Sequence, residues 1–221
     1  MRRGTRGMIE DEKALDRVVF FSDAVFAIAM TLLVFQLRVP ILRASLPQSQ
    51  ENDQLWHALR GLGGELYSFA LTFFVLGMFW MAHHRKFRLI RRYDDRLLWL
   101  NLAFLFFVAF VPFPTAVLGR YGDEVATLLY ASTMALTGLL AGAITLHAYG
   151  RHRLIDANID DRDIRHWIRR SYLSPIVFLA SIPVAFVSPR AAQLLWLLAI
   201  VGTFLLERFH RRSDVPGSEE G

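Results

Sequence analysis

Asp23 is the most demanding residue in this sequence. It lies inside an apolar run that opens Arg17-Val-Val-Phe-Phe21-Ser22-Asp23 and continues Ala-Val-Phe-Ala-Ile28. An unpaired carboxylate at such depth in a membrane-length segment costs about 3 kcal/mol, so it calls for partners or a function. A second polar group closes another apolar run. Trp80, His83, His84 and Phe87 fall at i, i+3, i+4 and i+7, one face of a helix. A carboxylate, an imidazole, an indole N–H and the Arg17 guanidinium can satisfy one another by hydrogen bonds. Three readings stand: a network that joins two helices, an ion or proton path, or unconnected surface groups. The network is the expected one. Asp23, His83 and His84 are also metal-ligand types. Adjacent histidines on a helix diverge by about 100°, so both cannot face one ion, and no metal site is expected.

Other chemistries find no residues here. There is no cysteine, hence no thiolate nucleophile or disulfide. No glycine-rich phosphate loop, H-E-x-x-H motif or nucleophile elbow occurs. Nothing reads like the T-V-G-Y-G carbonyl filter. A membrane-embedded enzyme is therefore a weak alternative.

The elements that position these residues are set by hydropathy. The 221 residues are 54% hydrophobic, with 18 Phe and a mean hydropathy of +0.33. The apolar residues gather in runs long enough to cross a bilayer, so the expected fold is all-α, a polytopic membrane protein with six transmembrane helices. The first runs from about Arg17 to Val39 and stops before Pro40, which cannot continue the hydrogen-bond ladder. A polar loop follows through Asp53. The second span starts weakly at Gly61, Gly63 and Gly64 and is strongest over Leu66–Ala82. The third is Leu97–Val117, kinked by Pro112 and Pro114. The fourth, Glu124–Ala148, carries Gly138 and Gly142, a pair that permits close helix contact. The fifth is about Ile164–Val187 and the sixth Ala191–Phe209. Residues 1–16 read as a polar cytoplasmic N-terminus, 17–209 as the membrane domain and 210–221 as a disordered tail. A signal peptide would have a shorter apolar stretch and no acidic residues at its entrance.

The basic residues report topology rather than nucleic-acid binding. With the N-terminus inside, segments 1–17, 83–98, 149–172 and 207–221 hold 20 of the 25 Lys/Arg. That bias follows the positive-inside rule and puts both termini in the cytoplasm of a plasma-membrane protein.

A helical wheel at about 100° per residue separates two jobs on the first span. Ile28, Leu32 and Phe35 form one narrow apolar stripe, which Phe21 and Ala24 extend. Asp23 points away from it. Asp23 also shares its depth with His83 and His84.

Arg17-x-x-x-Phe21-Ser22-Asp23 with the following Ala-Val-Phe-Ala-Ile28-Ala-Met-Thr31-Leu32 resembles the signature of the transmembrane protein 175 family. Phe79-Trp80-Met-Ala-His83-His84-Arg-Lys-Phe87 is similar to its second block. Leu98-Trp99-Leu-Asn101-Leu and Val111-Pro112-Phe113-Pro114-Thr115 are similar to its third. The resemblance covers the first 120 residues. It implies a six-helix, potassium-permeable channel assembled as a homotetramer in a lipid bilayer, with the first helix of each chain lining a central pore. It places the constriction at Ile28, Leu32 and Phe35 and a hydroxyl relevant to selectivity at Thr31. Phe35 departs from the aliphatic residue usual there. Potassium is the permeant ion, and no cofactor, catalytic residue or nucleic-acid partner is implied.

The alternative is a proton-coupled or proton-conducting transporter in which Asp23 and the histidines titrate. The broken midplane helices and repeat symmetry common in transporters are not visible. A related expectation is pH sensitivity, because His83 would stand beside Asp23 and Arg17 and an unperturbed histidine titrates near pH 6.5.

Overall fold

The computed structural model describes residues 2–41, 47–150, 154–155 and 159–198, and side chains within these except at 2–12 and 48–49. The described residues are almost entirely helical. α1 is Arg2–Leu32 and runs on into a 3₁₀ turn, Leu33–Gln36. α2 is Gln48–Gly61, α3 Gly63–Phe87, α4 Asp95–Phe110 and α5 Pro112–Tyr121. α6 is Glu124–Tyr149, α7 Asp161–Ser171 and α8 Leu173–Val187. Residues 189–198 form a further helical segment.

Among the described residues five stretches are long and apolar enough to cross a membrane: Lys13–Gln36, Gly63–Phe87, Asp95–Tyr121, Glu124–Tyr149 and Asp161–Val187. They correspond to the first five expected spans. The sixth, 191–209, lies only partly within the described residues, and the tail 210–221 lies outside them. Three boundaries differ from expectation. The polar residues before Arg17 continue the first helix instead of preceding it, because Arg, Glu and Lys are good helix formers and Ala14 and Leu15 lead into the span. The first helix tightens after Leu32 instead of running to Val39. From Gln48 onward the stretch before the second span is helical, as α2, instead of a loop through Asp53.

Local chemistry explains several ends. Asp94 accepts the Leu97 N–H at 2.8 Å and Asp123 accepts the Ala126 N–H at 2.9 Å, capping α4 and α6. α5 closes on Gly122, whose φ of 60° lets its N–H reach the Leu118 carbonyl at 2.9 Å. Pro112 divides the third span into α4 and α5 by withholding a backbone donor.

α6 is the central helix. It packs on α4 and α5 on one side and on α7 and α8 on the other. Its two glycines set the α8 contact. A Cβ at Gly138 would meet Pro175 at 2.9 Å, and one at Gly142 would meet the Tyr172 ring at 2.8 Å. Thr115 Oγ1 donates to Thr72 Oγ1, which donates to the Tyr130 hydroxyl, both at 3.1 Å. That chain joins α5, α3 and α6. Trp196 lies against Tyr130, tilted by 36° with centroids 4.9 Å apart, and donates to Ser181 Oγ at 2.8 Å. The 189–198 segment is thereby held against α6 and α8, while α1 lies at the edge on α3 and α4.

Candidate functional site

α1 has two unlike faces. Ser22, Phe26, Ala29 and Leu33 are buried, the repeat of a helix edge packed on a core. The other face carries Phe21, Ile28 and Leu32, which are 54%, 58% and 43% exposed, and Phe35 follows at 79%. Ala24, Ala27 and Thr31 lie between them, also exposed. This is the stripe expected from the wheel, with one refinement. In a 3₁₀ turn residues i and i+3 eclipse, so the Leu33–Gln36 turn brings Phe35 into line above Leu32. Thr31 belongs to the same surface, and its hydroxyl donates back to the Ile28 carbonyl at 2.9 Å. Gln36 Nε2 donates to the Pro112 carbonyl at 2.6 Å and fastens the end of the turn to α5.

The buried face of α1 meets a directed chain of hydrogen bonds. His83 Nε2 lies 2.9 Å from Asn101 Oδ1, Asn101 Nδ2 donates to Ser22 Oγ at 3.1 Å, and Ser22 donates to the Val18 carbonyl at 2.8 Å. His83 Nε2–H is the donor in this arrangement, since the Asn101 amide already gives its N–H to Ser22. His83 Nδ1 is buried and has no hydrogen-bond partner among the described residues. The tautomer with hydrogen on Nε2 leaves there a lone pair rather than an orphan N–H. The imidazole is 3% exposed and lies between Phe87 and Phe104, with centroids 4.3 and 5.5 Å away.

Asp23 takes a separate partner. Trp80 Nε1 donates to Asp23 Oδ1 at 2.8 Å. The two bonded groups therefore tie α1 to its neighbours at adjacent positions: Asp23 to α3, Ser22 to α4 and through Asn101 to α3. Two expected members stand apart. Arg17 is exposed at the mouth of a groove lined by Val18, Phe21, Leu98, Asn101, Leu102 and Leu105. It has no ion pair with Asp23 among the described residues. His84 is exposed and faces the Trp80 ring at 6.0 Å. The two histidines thus diverge as helix geometry requires, and the hydrogen-bond partner of His83 is Asn101 rather than Asp23 or Arg17. Among the described residues no group of three or more His, Asp or Glu could hold a metal ion.

The profile of the endosomal/lysosomal potassium channel TMEM175 matches residues 17–112. A potassium channel of Streptomyces collinus is 35% identical over 177 residues, spanning 78% of this chain and 82% of the relative. The chain belongs to the TMEM175 family. The crystal structure of a lysosomal potassium-selective channel TMEM175 homolog from Chamaesiphon minutus superposes with a TM-score of 0.73 at 28% identity. The match covers 92% of this chain and all of that one. The zebrafish endosomal/lysosomal proton channel TMEM175 is 25% identical over 73% of this chain and 30% of its own length.

The matched region holds the two faces of α1 from Arg17 onward, the Trp80 and His83 partners and Asn101. Asn101 is the member that residue typing passed over. The signal was present: an amide in the run Leu97–Phe110 that is otherwise apolar from Leu98 onward, and an amide in a span is as informative as a charge.

Proposed function

We propose that this chain is a potassium-permeable cation channel whose conduction path is lined by α1. The observation that carries the reading is the uncovered stripe of Ile28, Thr31, Leu32 and Phe35 on a helix whose opposite face is fully anchored. A single such helix cannot enclose a path. Several copies around an axis can, so the reading includes a homotetramer, a closed symmetric assembly. Ile28, Leu32 and Phe35 then form an apolar constriction that controls permeation by wetting and dewetting. The anchoring groups Ser22, Asp23, Trp80, His83 and Asn101 hold α1 in register and do not line the path. The names of the relatives from Streptomyces collinus and Chamaesiphon minutus support potassium as the ion. Basic residues crowd the end that bears the N-terminus, the α3–α4 turn and α7, which supports a plasma-membrane orientation with both termini inside.

Purified protein in a planar bilayer, with K⁺ on one side and Na⁺ on the other, tests this. Unitary K⁺ currents with a reversal potential displaced toward the K⁺ equilibrium value are expected. Absence of unitary currents from assembled protein rejects the channel. The vertebrate relative named as a proton channel motivates the second arm. A current that follows an imposed pH gradient, with K⁺ equal on both sides, would assign protons as the main permeant ion.

A further inference from the structure

α7 divides its charges sharply by face. Ile164 is buried, Trp167 meets Tyr149 edge-on at 5.7 Å, and Ser171 donates to Thr145 Oγ1 at 3.0 Å. These residues fix the inner face on α6. Arg162, Arg165 and Arg169 are all exposed and fall within about 60° of one another on the outer face. His166 is exposed beside them. Asp161 and Asp163 open the helix but sit about 100° to either side of Arg162. Asp160 is engaged as the N-cap, accepting the Arg162 backbone N–H at 2.8 Å. Arg162, Arg165 and Arg169 form no ion pair among the described residues.

The depth of this face follows from chain length. Only Tyr172 separates α7 from α8, and Asp161–Val187 forms one span of 27 residues. At 1.5 Å per residue α8 alone rises about 22 Å and the whole stretch about 40 Å. The hydrocarbon layer is about 30 Å thick and the bilayer with its headgroups about 40–45 Å. Arg169 therefore lies close to the hydrocarbon edge and Arg162 among the headgroups. The α3–α4 turn brings more charge to the same end. The turn is fixed there by the Arg91 and Arg92 backbone N–H groups, which both donate to the Leu154 carbonyl, at 2.8 and 3.1 Å, beside the Ile90–Ile155 bridge.

We propose that the outer face of α7 is a docking surface for anionic phospholipid headgroups. The charge is complementary, the guanidinium fork matches a phosphate, and the helix is continuous with a membrane span that sets it at headgroup depth. Bound headgroups hold α7 down on α6 through the Trp167 and Ser171 contacts, so they stabilise the folded chain by mass action.

The test uses the full chain purified in a neutral detergent, which makes it independent of leaflet and of ion selectivity. Short-chain phosphatidylglycerol and phosphatidylcholine are titrated while the melting temperature is followed, and lipids retained on the assembled protein are counted by native mass spectrometry. Phosphatidylglycerol is expected to stabilise more and to be retained in preference. R162Q/R165Q/R169Q should bind it about a hundredfold more weakly, from roughly 1 kcal/mol per arginine, whereas R162K/R165K/R169K should retain most of the preference. An undiminished preference in the Gln variant overturns the proposal. So does equal stabilisation by free glycerol phosphate, which would make the ligand a soluble anion. A changed oligomer size with unchanged lipid preference would give the face to a second copy of the chain. If the Gln variant does not assemble, the wild-type protein decides: raising salt to 0.5 M must shrink the phosphatidylglycerol-specific shift, and a salt-independent shift rejects the site.

Discussion

Asn101 on α4 donates to Ser22 on α1 at 3.1 Å, and this is the only polar bond between those two helices among the described residues. Its geometry makes Asn101 a two-sided connector. The carbonyl oxygen serves His83 on α3, the amide nitrogen serves Ser22, and all three residues are buried. Three helices are fixed at one level by a single side chain.

Asn101→Leu should therefore cost more than the loss of one hydrogen bond. It leaves the His83 Nε2–H and the Ser22 acceptor buried without partners, and each such group costs about 1–3 kcal/mol. The expected outcome is a lower melting temperature and less assembled protein in detergent. Double substitution with Ser22→Ala should be clearly less than additive, because both changes break the same bond. Full additivity would show that the two side chains are not coupled.

The Asp23–Trp80 bond makes a graded prediction. Asp23→Asn keeps an oxygen for the Trp80 N–H and loses only the charge assistance, a loss of about 1 kcal/mol. Asp23→Leu removes the acceptor and should disrupt assembly much more. Trp80→Phe should resemble Asp23→Leu in assembly, since it leaves the carboxylate unbonded in the span. The measurement is the assembled fraction by size-exclusion chromatography. Ion preference in the survivors should be unchanged. A shift in preference on Asp23→Asn would put the carboxylate on the conduction path.

Much of this arrangement was legible in the sequence, for physical reasons. A bilayer demands long apolar helices, so hydropathy alone located Gly63–Phe87 to within a few residues of its ends. The 3.6-residue period separated Asp23 from Ile28 and Leu32 without any coordinates. What periodicity cannot carry is distance between helices. The ends of the apolar runs put His83 and His84 at one depth with Asp23, but only packing decides that His83 reaches Asn101 while Arg17 and His84 stay exposed. The tightening after Leu32 was equally hidden, because Leu33-Val34-Phe35 continues an ordinary helical pattern and contains no proline or glycine.

The α6–α8 contact should be intolerant of side chains at its glycines. A Cβ at Gly142 would stand 2.8 Å from the Tyr172 ring and one at Gly138 2.9–3.1 Å from Pro175. Tyr172 can rotate, whereas Pro175 is buried and has a fixed ring on α8. Gly138→Ala should accordingly destabilise more than Gly142→Ala, by about 1–3 kcal/mol as an overpacked core contact. Thermal melts of the two variants in detergent provide the comparison, and equal stability of Gly138→Ala and wild type would mean that α8 can move aside freely.

The exposed stripe on α1, as the proposed lining of the path, yields the functional prediction. Ile28 is fully apolar and exposed on α1, and the helix behind it is held by Ser22, Phe26 and Ala29. A ring of such side chains around a narrow path expels water, which raises the barrier to an ion that must shed its hydration there. Ile28→Asn replaces each apolar wall with an amide that can bind water. It should raise unitary K⁺ conductance or open probability several-fold, with weaker discrimination against Na⁺. Phe35→Leu acts at the other end of the stripe. Because Phe35 is eclipsed over Leu32, a smaller side chain there widens the same column instead of a neighbouring surface, and current should rise modestly while ion preference holds. Currents identical to wild type in both variants, with normal assembly, would remove this face of α1 from the conduction path. A response to Phe35→Leu alone would move the constriction from Ile28 to the 3₁₀ turn.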